Sequence, residues 1–281
     1  MSKEKKNANT LGKIAGVLRA VAGTPHPKNF TSAVICAAGS STRMGEGTTK
    51  QFLDLDGIPV VARTLMAYEA ADCIHEIIVV AKKNELSMYQ ELKRTYHITK
   101  LTKVVEGGET RQESARKGSD HVSKKAKYIA VADAARCLIT PKDIDKVCHG
   151  AYQWGAATAG VKATDTVKVV DKSGFIEDTP DRAFVWMAQT PQVFALNIYR
   201  AAAYACRDEG FAATDDNQMA EHIRVPVKMI ECSRENVKIT VPSDLIFAHA
   251  VLEARKTEEI NSHTSKHHNA NKESSKKEGA S

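Results

Sequence analysis

The sequence has no closely spaced cysteines and no long apolar run. Its six cysteines are scattered over 281 residues and form no C-x-x-C pair. This pattern argues against a disulfide framework or a thiolate zinc site and favours a reducing cytoplasm. No apolar run approaches the roughly 18 residues that a transmembrane helix needs. We therefore expect a cytoplasmic protein without stable membrane association.

The motifs of several enzyme classes are also missing. There is no G-x-S-x-G, no cysteine with an obvious histidine partner and no set of histidines at ligand spacing, so nothing supports acyl transfer. Around Gly39 the sequence matches neither the Walker spacing G-x-x-x-x-G-K-[ST] nor the dinucleotide fingerprint G-x-G-x-x-G. Those two phosphate-binding loops are excluded.

The net charge of +6 is unevenly distributed. Residues 1–30 carry six basic side chains against one glutamate, and residues 256–281 carry five lysines against four glutamates. The part between them is neutral, which is not typical of a dedicated nucleic-acid-binding domain. We expect no nucleic-acid partner, and any cation that matters in this part must act through its position.

Strand-like and helix-like segments alternate from residue 33 onward. This alternation predicts an α/β fold with a mostly parallel sheet covered by helices on both faces. Asn84 is a candidate N-cap, and Thr214-Asp215-Asp216 are expected to cap another helix. The expected strands are 33–38, 76–81, 101–105, 127–132, 155–161, 192–195, 227–231 and 236–240. The expected helices are 59–71, 84–96, 110–122, 141–153, 196–209 and 243–255.

Three segments depart from this alternation. Residues 162–188 alternate without a helical period and contain a Lys172-Ser173-Gly174 turn signal, so they predict a protruding β-hairpin arm. Residues 1–30 are expected to form a flexible basic extension. The apolar side chains within 11–21 leave a short membrane-surface or partner-binding helix as an alternative. Residues 256–281 are of low complexity and are expected to be disordered. The domain proper is then 31–255.

Residues 33–53 are the most informative stretch. A buried strand is expected to end at Gly39, and a small, polar loop with Arg43 follows before Lys50. Small residues allow close backbone approach, and the N–H groups of such a loop can point at an anion. The stretch therefore has the outline of a triphosphate site. The alternative is an ordinary βα turn with two solvated cations.

Further polar groups lie beside predicted strand ends, where ligands bind in parallel sheets. No nucleophile and no general base is evident among them, so phosphoryl or nucleotidyl transfer fits best, because there the protein mainly positions groups and neutralises charge. Each segment also has a purely structural interpretation: 107–114 could be a loop with helix caps, 133–136 a structural Asp–Arg pair, and the lysine within 236–240 a side chain that faces solvent. The segments are GGETRQES at 107–114, DAAR at 133–136, TPDR at 179–182 and NVKIT at 236–240.

Eight motifs taken in order resemble one family. They are AAGSSTRMG with Lys50, GGETRQES, DAAR, TDTVK, TPDR, QTPQ, ATDD and NVKIT. In this order they are similar to 2-C-methyl-D-erythritol 4-phosphate cytidylyltransferase over about 31–255. The resemblance implies a Rossmann-like nucleotidyltransferase that takes CTP, Mg²⁺ and a sugar-alcohol phosphate. It also implies a homodimer formed through the β-arm.

The resemblance further implies roles for individual residues, whereas the metal ligands stay unassigned. The nucleophile would be the phosphate of the substrate itself, which needs no general base. Arg182, on the arm, would reach the site of the partner subunit. The residues implied in catalysis are Arg43, Lys50, Arg182 and Lys238; those implied in nucleotide binding are Ala37, Ala38, Gly39, Gly108 and Ser114; those implied in sugar-phosphate binding are Asp133, Arg136, Thr166 and Thr190.

Two other functions stay open from the sequence. A ribitol-5-phosphate cytidylyltransferase shares the fold, CTP and most charged residues, although Ala38-Gly39-Ser40 and Asp133-Ala134-Ala135-Arg136 favour the methylerythritol family. A non-catalytic relative would bind nucleotide and dock through its basic N-terminal segment. The retained cations implied in catalysis argue against that second alternative.

Overall fold

A computed structural model describes residues 28–39, 50–258 and 261. Its strands are β1 Thr31–Cys36, β2 Asp54–Leu55, β3 Ile58–Pro59, β4 Ile74–Ala81, β5 Leu101–Glu106, β6 Tyr128–Asp133, β7 Ala156–Lys162, β8 Val169–Val170, β9 Ile176–Asp178, β10 Trp186–Ala195 and β11 Lys228–Glu231. Its helices are α1 Val60–Ala70, α2 Leu86–Thr95, α3 Arg111–Asp120, α4 Pro141–Trp154, α5 Leu196–Glu209, α6 Asp216–His222 and α7, over residues 242–258.

Seven of the described strands form one sheet in the order β11-β7-β10-β6-β1-β4-β5. All neighbours are parallel except β10, which runs antiparallel to both β6 and β7. The predicted α/β fold with a mostly parallel sheet is therefore confirmed. The carboxyl ends of β1, β5 and β6 lie at one edge of the sheet, so the loops that follow these strands are brought together there.

The core lies on both faces of the sheet, as the uninterrupted apolar strands require. Successive side chains of a strand point to opposite faces. In β1, Ala33 and Ile35 pack into a buried cluster beneath α1, α2 and α4, whereas Val34 packs into a second cluster beneath α3, α5 and α6. A third buried cluster lies under α7 and contains Ile239 together with residues that follow β6.

Some of the described helices begin at a capping side chain, whereas α1, α2 and α5 begin without one. The side chains of Thr140 and Asp215 accept hydrogen bonds from the backbone N–H three residues ahead, so they cap α4 and α6. The prediction that Asn84 caps a helix is wrong. Residues Lys83–Glu85 form a 3₁₀ turn, and α2 begins after Glu85 without a side-chain cap.

The strand predicted at 236–240 is absent, although this segment is described. Its apolar alternation reflects packing, because Ile239 is fully buried in the cluster under α7. One backbone hydrogen bond, from Ile239 N–H to the carbonyl of Ala135, ties the segment to the loop after β6. Lys238 is thereby fixed beside the end of β6.

The predicted β-hairpin between residues 162 and 188 is confirmed. Strands β8 and β9 pair antiparallel, and the turn between them includes Lys172–Gly174. Most of its side chains are exposed, with Phe175 exposed by 74% and Phe184, in a 3₁₀ turn after β9, by 83%.

The two ends of the chain lie largely outside the described residues. The expected basic extension is described only from Lys28 onward, and the candidate helix at 11–21 is outside. The helix expected to end near 255 continues to 258, so the start of the expected disordered tail is helical. None of the described helices is both long and apolar enough to cross a membrane.

Candidate functional site

A cavity of about 340 Å³ opens where the carboxyl ends of β1 and β6 meet the loop after β5. It is therefore located at the edge of the sheet at which ligands of parallel α/β proteins bind. Its lining combines small residues, which allow close approach, with charged ones. These residues are Cys36, Ala38, Gly39, Gln51, Gly108, Glu109, Thr110, Arg111, Ser114, Asp133, Ala134, Ala135 and Lys238.

Asp133 occupies the centre of a cluster of cations at the end of β6. Its Oδ1 accepts from Arg111 Nε at 3.0 Å, and its Oδ2 lies 2.9 Å from Lys238 Nζ and 3.7 Å from Arg136 Nε. Its backbone N–H donates to Thr190 Oγ1 at 3.1 Å. One carboxylate thus fixes three cationic side chains, which arrive from α3, from the loop after β6 and from the segment before α7.

The cations determine the ionisation of Asp133. Burial alone would raise the pKa of this carboxyl, but Arg111, Lys238 and Arg136 outweigh burial and hold the pKa well below its ordinary value. Burial lowers the pKa of the Arg136 guanidinium, and Asp133 opposes that shift. Asp216 also pairs with Arg111, so the cluster contains three cations against two carboxylates. One positive charge remains in excess, which is suited to a phosphate.

Arg111 also contacts a second carboxylate, Asp216 at the start of α6. Its Nη1 donates to Asp216 Oδ2 at 2.7 Å, and Asp216 Oδ1 accepts from the Tyr199 hydroxyl at 3.2 Å. The Asp216 backbone N–H donates to Gln192 Oε1 on β10. Asp216 is fully buried as a side chain. Arg111 is therefore held from two sides and lies at a fixed position on the cavity wall.

The loop after β5 forms the opposite wall. Gly108 N–H donates to Ser114 Oγ at 3.0 Å, and Glu109 N–H donates to Glu113 Oε2 at 2.9 Å. The loop is packed closely against the loop after β1 at Gly107. A Cβ on Gly107 would lie 2.5 Å from Ala38 Cβ, whereas one on Gly108 would meet only the flexible side chain of Glu113. Gly107 therefore allows the loops after β1 and β5 to approach each other.

Two buried amides beside the cavity, Gln51 and Asn236, each have a side-chain oxygen without a hydrogen-bond partner in the described part of the chain. Gln51 Nε2 donates to the carbonyl of Ala37 at 2.7 Å, while Gln51 Oε1 has no hydrogen-bond partner among the described residues. Asn236 Nδ2 donates to Gln189 Oε1 and to the carbonyl of Thr190, both at 3.0 Å. These amides fasten the loop after β1 and the segment that carries Lys238 to the sheet.

The structure brings together most of the predicted site residues that it describes. Ala38, Gly39, Gly108, Ser114, Asp133 and Lys238 line the cavity, Ala37 lies directly behind it, and Arg136 and Thr190 contact Asp133 or its backbone. Arg136 Nη1 also donates to the carbonyl of Asn236 at 2.7 Å.

Two of the described site residues do not join this cluster, and the side chains of two further predicted residues are not described. Thr166 and Arg182 are exposed near the base of the arm, where Arg182 Nη1 donates to the carbonyl of Thr164 at 2.5 Å. Neither lines the cavity of the single chain. Arg43 lies outside the described residues, and Lys50 is described only as the first residue of a 3₁₀ turn.

Sequence reasoning missed four residues that shape the site. Arg111, Asp216 and Asn236 lie within the motifs GGETRQES, ATDD and NVKIT but received no role in the site, and Gln51 follows Lys50 directly. The available signal was the charge of Arg111 and Asp216 inside motifs that already pointed to the site. Their mutual contact depends on α3 and α6, which are distant in sequence.

Cysteine chemistry is unsuited to this cavity. Burial, opposed by Arg111, raises the pKa of the Cys36 thiol to about 12, so the sulfur that lines the site stays protonated at neutral pH. A substrate phosphate, already ionised, is the better nucleophile in such a site.

The described residues do not form a ready magnesium site. Mg²⁺ is usually bound by one or two carboxylates together with substrate phosphates, but both oxygens of Asp133 are occupied by cations. A separate group, Asp56, His249 and Glu253, has ligand-type atoms within 4.8 Å of one another. Lys256 already bonds to both carboxylates of that exposed group, so it offers no vacant cation position.

The fold and the cavity together define an α/β protein of the nucleotidyltransferase class. Glycine-lined loops face a cluster of cations across a cavity at the carboxyl edge of the sheet. Residues 31–254 match the family model of 2-C-methyl-D-erythritol 4-phosphate cytidylyltransferase (IspD), and the chain belongs to that family. The resemblance drawn from the eight motifs is therefore confirmed.

Individual relatives agree with this membership. The 2-C-methyl-D-erythritol 4-phosphate cytidylyltransferase of Caldanaerobacter subterraneus is 40% identical over 222 residues, which is 79% of this chain and 98% of the relative. That of Geobacillus kaustophilus is 36% identical over 226 residues, 80% of this chain and 98% of the relative. The crystal structure of 4-diphosphocytidyl-2C-methyl-D-erythritol synthase from Anaerococcus prevotii superposes with a TM-score of 0.71 at 28% identity and covers 80% of this chain and 99% of its own.

Proposed function

We propose that this protein transfers CMP from CTP to 2-C-methyl-D-erythritol 4-phosphate and releases pyrophosphate. The product is 4-diphosphocytidyl-2-C-methyl-D-erythritol, an intermediate of non-mevalonate isoprenoid synthesis. The observation that carries this proposal is the group of three cations fixed around Asp133 at the open end of β6. Family membership supplies the identity of the two substrates.

The nucleotide would lie between the loops that follow β1 and β5. Ala38 and Gly39 line the cavity at the end of β1, next to the fully buried Ala37, and Gly108 and Ser114 line it from the loop after β5 and from α3. The triphosphate would extend toward Arg43 and Lys50, whose positive charge would stabilise the charge that accumulates on it in the transition state. This placement leaves the α-phosphorus near the Asp133 cluster.

The sugar phosphate would bind at the Asp133 cluster. Asp133 and Arg136 would contact the hydroxyl groups, Thr166 and Thr190 would border that pocket, and Lys238 would direct the phosphate oxygen at the α-phosphorus. That oxygen is ionised at neutral pH, so the attack needs orientation and charge neutralisation and no proton transfer. The geometry is compatible with this order, because Lys238 Nζ lies 2.9 Å from Asp133 Oδ2.

We further propose that the working form is a homodimer assembled through the arm. Large apolar side chains of the arm are exposed to an extent that is unusual for a monomer; Phe175 is 74% exposed and Ile176 is 63% exposed. Such a dimer would bring Arg182, which does not line the cavity of its own chain, to the cavity of the partner. Thr166, near the same base of the arm, would move with it.

The Mg²⁺ that the family generally uses would accompany the CTP phosphates in this proposal. Asp133, the buried carboxylate of the cavity, is already matched by cations, so the metal would neutralise the triphosphate and would not need an all-protein site. Activity in metal-free buffer should be lost, and titration with MgCl₂ should restore it. The place of action would be the cytoplasm, since all six cysteines are free thiols.

The central experiment measures pyrophosphate release by the purified protein with CTP and Mg²⁺. Methylerythritol 4-phosphate and ribitol 5-phosphate are supplied in parallel. Release with the methylerythritol substrate alone supports the proposal, and release with ribitol 5-phosphate alone would overturn the substrate assignment. If neither substrate gives release although the folded protein binds CTP, the catalytic proposal is wrong.

A complementation experiment tests the role of Arg182 in the partner subunit. Arg182→Ala and Lys238→Ala are each expected to have little activity alone. After mixing and subunit exchange, heterodimers contain one site with both side chains intact, so activity should recover to about a quarter of the wild-type value if the dimer has twofold symmetry. If Arg182 acts in its own chain, no site regains both residues and mixing restores nothing.

A further inference from the structure

A second cavity lies at the opposite edge of the sheet, at the amino-terminal ends of β1 and β4. Its volume is about 430 Å³, and Cys73, His75, Asp145, His149 and Tyr152 are among its lining residues. The proposed cytidylyl transfer takes place at the other ends of these strands. This cavity therefore needs a different explanation from the one given for the nucleotide site.

Two thiols meet at this cavity. Cys73 precedes β4 and packs against the face of α4 that carries Cys148. Its backbone N–H donates to Asp145 Oδ1 and its carbonyl accepts from the Tyr152 hydroxyl, both on α4, and the two thiols belong to one buried cluster. Cys148 is fully buried, whereas Cys73 is 8% exposed and lines the cavity. A small reagent that enters the cavity therefore reaches Cys73 first, with Cys148 directly behind it.

The surroundings of Cys73 favour its reactivity. Its sulfur lies 3.5 Å from His149 Nε2, and its backbone N–H donates to Asp145 Oδ1 at 2.8 Å. The hydrogen bond from Cys148 lowers the pKa of the Cys73 thiol below its usual value, helped by Tyr152 and opposed by burial and by Asp145. The same contact and burial raise the pKa of Cys148. The pair thus divides into one thiol that ionises more readily and one that retains its proton.

The other four cysteines, which are also described, provide an internal comparison. Cys232 is 9% exposed, nearly the same as Cys73, yet burial raises its pKa to about 12. Burial likewise raises the pKa of Cys36 to about 12 and that of Cys137 to about 11. The thiolate is the nucleophile. Cys73 should therefore react faster than Cys232, although the two side chains are almost equally exposed.

We infer that Cys73 and Cys148 form a peroxide-reactive dithiol, in which Cys73 is the attacking and Cys148 the resolving thiol. The Cys73 thiolate attacks one oxygen of hydrogen peroxide, the O–O bond breaks, and the sulfur is oxidised to a sulfenic acid while hydroxide leaves and takes up the thiol proton as water. Cys148 sulfur then attacks the Cys73 sulfur. The S–S bond forms, the S–O bond breaks, and the hydroxyl leaves with the Cys148 proton as a second water.

The test uses the wild-type protein treated with hydrogen peroxide, alkylated with iodoacetamide and digested with trypsin. The expected product is a disulfide that joins peptide 64–82 to peptide 147–162, each of which contains one of the two cysteines. Before oxidation, Cys73 should be alkylated in the folded protein at least about tenfold faster than Cys232, because of its larger thiolate fraction. Since no variant is needed, a failure to fold cannot obscure this result.

Variants then distinguish the two roles. In Cys148→Ser the Cys73 sulfenic acid should persist and be trapped by dimedone, and in Cys73→Ser the linked peptides and the dimedone adduct at this site should both be lost. Cys232→Ser is the matched control and should form the disulfide at the wild-type rate. Equal alkylation of Cys73 and Cys232, or oxidation that never links the two peptides, would overturn the inference.

Discussion

Arg111 Nη1 and Asp216 Oδ2 lie 2.7 Å apart, although 105 residues separate them in the sequence. The same guanidinium bonds to Asp133 through its Nε at 3.0 Å. Two carboxylates and burial act on one arginine: burial would lower its pKa, but Asp216 and Asp133 raise it well above its usual value. Arg111 thereby links the end of β6 to the start of α6.

The first prediction concerns the stability that this link provides. Arg111→Gln leaves the fully buried Asp216 carboxylate without its cation, and breaking a buried ion pair in this way costs about 3–5 kcal/mol in the free energy of unfolding. The matched control is Arg207→Gln on α5, whose ion pair with the neighbouring Asp208 is exposed on both sides. That substitution should cost at most about 1 kcal/mol. Urea denaturation measures both values, and equal costs would contradict the prediction.

The second prediction concerns pH. The pKa of Asp133 is lowered in the folded protein, so its ionised form contributes stability above the unfolded-state pKa, which is about 3.9. This contribution declines as the pH falls below about 5 toward the folded-state pKa. Asp133→Asn should therefore be less stable than the wild type at pH 7, and the difference should shrink on acidification.

Urea denaturation at several pH values between 7 and 3 provides the measurement for Asp133. Asp178→Asn serves as the control, since its carboxylate is exposed on β9 and its loss should change stability little at any of these values. A wild-type advantage over Asp133→Asn that stays constant down to pH 3 would show that the carboxylate does not depend on the surrounding cations.

The third prediction concerns the close approach of two loops. A Cβ on Gly107 would lie 2.5 Å from Ala38 Cβ and 2.9 Å from Ser114 Oγ, whereas one on Gly39 would meet none of the described residues within 4 Å. Gly107→Ala should destabilise the protein by about 1–3 kcal/mol through overpacking, and Gly39→Ala should change stability by less than about 0.5 kcal/mol. Thermal unfolding compares the two variants. If Gly107→Ala is as stable as the wild type, the prediction is wrong and the loop after β1 moves to accommodate the added methyl group.

The sequence is sufficient to predict the sheet and much of the site. Apolar runs such as 76–81, bounded by turn signals, mark the central strands, and the loops that follow them contain Gly39, Gly108 and Asp133. These predictions succeed because strand order along the chain and the position of a strand end are local properties. The motifs in order then identify the family.

The remaining features depend on tertiary contacts that no local pattern specifies. The alternation at 236–240 has the period of a strand, yet Ile239 is buried beneath α7 and the backbone stays irregular. The interaction of Arg111 with Asp216 requires α3 and α6 to be adjacent, and the contact between Cys73 and Cys148 requires α4 to pack beside the start of β4. Each of these pairs is far apart in the chain.

The last prediction concerns Lys238, which that irregular segment positions. Its Nζ lies 2.9 Å from Asp133 Oδ2, and its side chain is 37% exposed toward the cavity. If it directs the attacking phosphate, Lys238→Ala should lower kcat/KM for methylerythritol 4-phosphate by about 100- to 1,000-fold, as for the loss of one transition-state donor. Lys228→Ala, which removes an exposed lysine near Trp154, should leave the kinetics unchanged. CTP affinity, measured by calorimetry, should be similar in both variants, because Lys238 is assigned to the second substrate; a selective loss of CTP binding in Lys238→Ala would place this lysine on the nucleotide instead.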